Sequence, residues 1–246
     1  MCALLWAARA GAAERLPQHL ICHGDVYAPY FMQTTSGFSG IEVDVLKAAA
    51  ARIGIALELK MTPFRRIQTE LERSDGTVDC AFALSHTARR DAFLDFGAQP
   101  LEVTEYTLFV RTDAGIASLT HLQGKTIGVR AGFRLPQALA EGVDKQSWRV
   151  AETGSDVANF QKLMFKRVDA VLADKSIGLY TQRQLGFADI VPIEPPLTRF
   201  HTYLVFKKSA HSLALAGAFD RAFLGMRQDG TMERLRAPYL HPAPAR

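Results

Sequence analysis

Short apolar runs alternate with helix-periodic stretches along almost the whole chain, and that alternation narrows the fold more than any other feature. Leu20-Ile21-Cys22 reads as a strand that breaks at His23-Gly24-Asp25. Gly40 then precedes Ile41 to Ile53, where Ile41, Val45, Ala49 and Ile53 recur on one helical face and Gly54 supplies the stop. Ala56 to Met61 alternates apolar and polar as a strand, Arg65 to Arg73 is helical, and Thr77 to Leu84 is a nearly continuous apolar run broken by Asp79. The cycle repeats further on. Thr107 to Arg111, Thr126 to Val129, Asp169 to Ala173, Ile190 to Ile193 and Tyr203 to Lys207 read as strands. Leu119 to Leu122 is a short helical turn, and Leu135 to Glu141, Asp156 to Lys166 behind a Ser155 cap, Ile177 to Leu185 and Leu213 to Leu224 read as helices. Strand and helix in alternation predict βαβ units, mostly parallel sheets and an α/β fold in two lobes, with crossings near Val103 to Leu108 and Leu197 to Leu204.

Composition supports a packed core and excludes several classes of function. Of 246 residues, 48% are hydrophobic and 22% charged, which is ordinary for a globular protein. Twenty-nine Lys and Arg against 25 Asp and Glu leave a net +4 spread along the chain, which argues against a nucleic-acid partner. No run approaches the roughly 18 apolar residues of a membrane span. Residues 1–13, MCALLWAARAGAA, place small residues after an apolar patch, like the back half of a secretory signal peptide. No basic segment precedes the patch, so a truncated leader and a plain disordered terminus are both open; export is the expectation. Cys22 and Cys80 sit in apolar runs where a free buried thiol is the commoner state, and a disulfide requires their strands to be neighbours, which sequence cannot establish.

Familiar catalytic motifs are missing. Gly124-Lys125-Thr126 resembles the end of a phosphate-binding loop, but Leu119 stands where its first glycine belongs. His19 and His23 lie on the approach to a strand, too far apart to close on one metal, and no CxxC, HExxH or GxSxG occurs. No metal and no cofactor are expected.

One segment does carry a signature. Leu84 to Pro100, LSHTARRDAFLDFGAQP, closely resembles the polar amino-acid-binding proteins of bacterial ABC transporters (extracellular solute-binding proteins, family 3), in which a buried strand ends in a Ser/Thr-x-Thr-x-x-Arg turn followed by Asp-Phe. Tyr27-Ala28-Pro29-Tyr30, Gly37 to Asp44, Thr77 to Ala81, Leu122 to Val129, Arg167 to Asp174 and Phe219 to Thr231 match in order, over roughly residues 19 to 240. The resemblance implies a type II periplasmic-binding-protein clamp whose second lobe is inserted into the first. Its expected boundaries are 19–105 with 200–240 for lobe I and 106–199 for lobe II, with hinges near 103–108 and 197–204. It also implies a monomeric periplasmic protein that holds a small amino acid or organic acid in the cleft and delivers it to a membrane permease.

Residue by residue, the resemblance assigns Arg90 to a ligand carboxylate, for which a guanidinium's two parallel donors are suited. Ser85 matches a hydroxyl donor in the same turn, and Ala83 the position whose backbone meets the ligand. Thr87 reads instead as tying the turn to its own backbone. Asp174 matches the partner of a ligand ammonium, and its alternative is a cap on the helix that follows. Tyr27 and Phe64 match aromatic walls, although strand-end aromatics also serve as core. Gly132 and Phe133 fall at the second-lobe anion site, where the family often has a hydroxyl after the glycine; here a ring replaces it, with Arg130 and Arg134 on either side. Pro100-Leu101 replaces the family's Pro-Tyr. Asp169 reads as structural. Two further readings stay open: a cyclohexadienyl-acid dehydratase on the same scaffold, with Glu102 or Glu105 as general acid, and a ligand-sensing module for a receptor.

Overall fold

The computed structural model describes residues 16–131 and 135–240. The chain begins with β1 (His19–Gly24), a hairpin of β2 (Met32–Thr34) and β3 (Gly37–Ser39), α1 (Ile41–Arg52), β4 (Ala56–Met61), α2 (Phe64–Glu72), β5 (Cys80–Ser85) and a short β6 (Leu94–Phe96). There follow β7 (Glu102–Arg111), β8 (Thr126–Arg130), α3 (Gln137–Asp144), β9 (Arg149–Thr153), α4 (Asp156–Met164), β10 (Ala170–Asp174) and α5 (Lys175–Gln184). The chain closes with β11 (Ile190–Pro192), β12 (Thr198–Lys207), α6 (Ser212–Gln228) and α7 (Thr231–Leu240).

One continuous sheet runs in the order β4-β1-β5-β12-β7-β10-β8-β9. Within each half the pairing is parallel, as the alternation predicts: β1 beside β4 and β5, and β8 beside β9 and β10. The middle departs from the mostly parallel expectation, because β7 and β12 are antiparallel to each other and to their outer neighbours. Their register explains why. Thr198 to Thr202 of β12 pairs with Tyr106 to Glu102 of β7; β12 then continues against β5, while β7 continues from Tyr106 to Val110 against β10. Each of the two strands starts in the crossing and ends deep in a different half of the sheet.

Both faces of both halves are covered, which is why the strands read as continuous apolar runs. Along β7, Leu108 and Val110 pack with Ile127, Val129 and Leu172, whereas Phe109 points the other way onto Phe160, Leu163 and Val171. In the other half, Cys22, Phe82 and Phe206 face α1 and α6 through Leu46, Phe219 and Phe223, and Leu84 and Val205 face Ile67 and Leu71 of α2. Cys22 and Cys80 are joined as a disulfide across the neighbouring strands β1 and β5, with a Cα–Cα distance of 4.5 Å and a sequence separation of 58. Closing a loop of that length restricts the unfolded chain by about 4 kcal/mol on the chain-entropy account. The strand adjacency that sequence left open therefore decides the thiol question.

The segment Tyr27-Ala28-Pro29-Tyr30 folds back to start α1. Amides of Ile41 and Glu42 donate to the Pro29 and Tyr30 carbonyls at 3.0 Å each, so backbone groups satisfy the first turn that no side chain caps. Gly40 sits there at φ 129, and a Cβ would meet the Tyr30 carbonyl oxygen at 2.3 Å. The C-terminal helix α7 links the halves. Tyr239 Oη donates to Asp44 at 2.6 Å and accepts from the Gly40 amide at 3.0 Å, while Arg183 of α5 donates to the carbonyls of Tyr239 and Leu240.

Candidate ligand-binding site

β5 ends at Ser85 and runs into the turn that leads to Arg90. Ala83 just before it has φ 63, a left-handed conformation that a side chain disfavours, and the ladder to β12 shifts register opposite it between Tyr203 and Val205. Such strain persists only where surrounding structure enforces it, and it gathers at functional sites. The turn is closed by Thr87, whose carbonyl accepts from the Arg90 amide at 2.9 Å and the Asp91 amide at 3.2 Å. Thr87 Oγ1 also accepts from the Arg90 amide at 3.4 Å, the tying role expected of it.

This turn sends two adjacent arginines in different directions. Arg89 is exposed and pairs with Glu72 of α2 at 2.6 Å. Arg90 is half-buried, and its Nη1 donates to the Ser85 carbonyl at 2.6 Å and Ser85 Oγ at 3.1 Å. Among the described residues no carboxylate pairs with Arg90, and burial alone pulls its pKa below the ordinary guanidinium value. Ser85 thus aims the guanidinium while leaving its charge uncompensated.

Asp174 ends β10 in the other half of the sheet and is 2% exposed. Its Oδ1 accepts from the Ile177 amide at 3.0 Å, capping α5, and from Tyr30 Oη at 3.1 Å, 144 residues away in sequence. Burial pushes its carboxyl up to about 6, held back by the Ile177 and Tyr30 hydrogen bonds, so the group is mostly ionised at neutral pH. The capping role is therefore real, and the Tyr30 hydroxyl adds a bridge between the lobes. Ile177 packs with Tyr30 and Ile41 beside it, with Tyr27 and Tyr239 at the edge.

Tyr27 stands in the same cluster. Its ring stacks on Tyr30 at 5.8 Å between centroids, its hydroxyl is hydrogen-bonded to Tyr106 of β7, and the Arg130 guanidinium lies 5.7 Å over its centroid. Arg130 ends β8 and contacts Asp156, in the first turn of α4, at 3.4 Å. Phe64 is 37% exposed at the start of α2; its amide donates to Asp25 Oδ2 at 3.0 Å, which fastens that helix to the segment leading into Tyr27. Gly132, Phe133 and Arg134 lie outside the described residues. Asp169 accepts from the Thr126 amide at 2.9 Å and serves structure.

Sequence reasoning missed three members of this cluster. Tyr30 was within reach as the second tyrosine of the Tyr27-Ala28-Pro29-Tyr30 motif. Tyr106 reads only as part of the crossing and Asp156 only as a helix residue, and their placement depends on the early start of β7 and the Ser155 cap. Behind Tyr30 lies a buried acidic pair: Glu102 is 7% exposed and contacts Arg236 of α7 at 2.7 Å, and burial raises its carboxyl to about 7; Glu42 is likewise raised by burial and by Glu102. Glu105, by contrast, is spent on Arg199 at 2.6 Å and Lys175 at 3.9 Å.

Residues 20–242 match the family of bacterial extracellular solute-binding proteins, family 3. The chain belongs to this family. It is 27% identical over 207 residues to a membrane-bound lytic murein transglycosylase F of Desulfosudis oleivorans, covering 81% of this chain and 44% of the relative, so it spans less than half of that protein's length. It is 22% identical over 213 residues to the arginine-binding extracellular protein ArtP of Bacillus subtilis, covering 85% of this chain and 81% of the relative. Among solved structures, the probable amino-acid ABC transporter extracellular-binding protein ytmK from Bacillus subtilis superposes with a TM-score of 0.79 at 18% identity, over 92% of this chain and 98% of that one. That likeness establishes the two-lobed type II binding-protein fold.

Proposed function

We propose that this chain is an exported, periplasmic solute-binding protein that captures an amino acid or a related small organic acid and delivers it, as a monomer and without cofactor, to the permease of an ABC transporter. The observation that carries this reading is Arg90, a half-buried guanidinium oriented by Ser85 and lacking an acidic partner among the described residues. A charge kept out of water without a counter-ion is costly, and a ligand carboxylate supplies what the protein withholds. In this reading Asp174, on the other lobe, receives the ligand ammonium beside Tyr30, whose hydroxyl already donates to it. The lobes in this proposal are 19–105 with 200–240 and 106–199, hinged where β7 and β12 exchange partners. Ligand binding stabilises the closed arrangement by its difference in affinity for the two states.

A thermal-shift screen of amino acids and dicarboxylates tests the reading. A concentration-dependent rise with at least one α-amino acid supports it, and no rise with any of them contradicts it. Membership of a longer envelope enzyme is the second reading, favoured by the partial match to a lytic transglycosylase; there the same cleft acts as a ligand-sensing module.

A further inference from the structure

The position over Tyr27 is already taken by a cation. The Tyr27 ring, on the first lobe, stacks on Tyr30, and the Arg130 guanidinium from the second lobe lies 5.7 Å from its centroid, within cation–π range. Among the described residues Arg130 pairs with Asp156 at 3.4 Å, a contact that steers the side chain toward Tyr27. Asp156, in the first turn of α4, is largely buried; burial raises its carboxyl and Arg130 is the main group that offsets this, so displacing the guanidinium would leave that carboxylate without its counter-charge. An aromatic ring bordering a ligand cleft is a natural seat for a cationic side chain. Here a ligand with such a side chain would have to displace Arg130 or lie beside a like charge.

We propose that Arg130 is a specificity-determining residue that rejects amino acids with cationic side chains and restricts the cleft to neutral and acidic ones. This rests on the reading of Arg90 as the α-carboxylate anchor. It makes selectivity a matter of built-in repulsion at the side-chain end of the ligand, separate from attraction at the α-carboxylate end.

The test measures dissociation constants for arginine, glutamine and glutamate by titration calorimetry on the full chain and on Arg130→Met, Arg130→Lys and Arg90→Ala. Methionine keeps an apolar stem over Tyr27 without charge, and melting curves confirm that each variant folds. The expected result is that the original protein binds glutamine or glutamate at least about tenfold more tightly than arginine, that Arg130→Met shifts the glutamine-to-arginine ratio by about tenfold or more toward arginine, and that Arg130→Lys keeps the original order. Tighter binding of arginine by the original protein, or a ratio that Arg130→Met moves by less than about twofold, overturns the inference. If Arg90→Ala abolishes binding in either of those cases, the anchor stands and only the role of Arg130 falls. If none of the three amino acids binds any of the proteins, the inference about Arg130 falls, and the underlying reading falls with it only when the thermal-shift screen of amino acids and dicarboxylates is blank as well.

Discussion

Arg90 lies in the turn that follows β5 in one half of the sheet and Asp174 ends β10 in the other, yet the protein treats the two charges in opposite ways. Asp174 is almost fully satisfied from within: it caps α5, accepts from Tyr30 and is 2% exposed. Arg90 is held only by Ser85 and has no acidic partner among the described residues, while Arg89 beside it is paired with Glu72. The difference separates two tasks that a residue list would merge. On the proposed function, the basic end offers binding energy that folding has not consumed, whereas the acidic end is already engaged in capping α5 and holding Tyr30.

Four experiments can break or sharpen this contrast. Arg90→Ala is expected to weaken amino-acid binding by roughly 100-fold while leaving the melting temperature nearly unchanged, since no internal ion pair is lost. Asp174→Ala is expected to do both kinds of damage, lowering the melting temperature by about 3 to 6 °C through loss of the cap and the Tyr30 bond. If Arg90→Ala destabilises as much as Asp174→Ala, the contrast is wrong.

The pH profile is the next largest effect. Asp174 is raised to about 6 and Glu102 to about 7, so each favours folding when protonated. Their contribution is fully present below the ordinary carboxyl range and is lost as pH rises through about 6 and about 7. Melting temperature should therefore fall from about pH 5 to about pH 8, and Glu102→Gln should flatten the upper part of that fall. A profile rising over this range would contradict the burial of these acids. The smallest effect belongs to Ala83: replacing it with glycine relieves the left-handed strain at φ 63 and should raise the melting temperature by about 1 to 3 °C. A drop would mean that the Ala83 methyl packs more favourably than the strain costs.

Much of this architecture is legible in the sequence because its strands are buried on both faces. The run Ala170 to Ala173 is unmistakable, and Ala56 to Met61 coincides with β4. The crossing is harder to read, because β7 and β12 open with polar residues: Glu102, Thr104 and Glu105 on one, Thr198, Arg199 and His201 on the other. Their pairing is with each other, so apolar patterning begins only at Thr107 and Tyr203, where the strands enter their cores. In the same way β5 starts at Cys80, later than the apolar run from Thr77 implies, and α7, interrupted by Pro238, carries too few core residues to announce itself. For the site, local motifs expose Arg90, Ser85 and Asp174, since Ser85 and Asp174 each end a strand and Arg90 closes the recognisable turn after β5. The Tyr30 bond to Asp174 and the Arg130 contact with Tyr27 join residues far apart in sequence, and no local pattern encodes them.

The central claim is that Arg90 holds the ligand's α-carboxylate. A double cycle tests it directly: calorimetric affinities of an amino acid that binds and of its α-amide, each measured on the original protein and on Arg90→Ala. A coupling of at least about 2 kcal/mol between the guanidinium and the carboxylate is predicted, with the two ligands binding alike once Arg90 is gone. A coupling below about 0.5 kcal/mol would place the carboxylate elsewhere in the cleft.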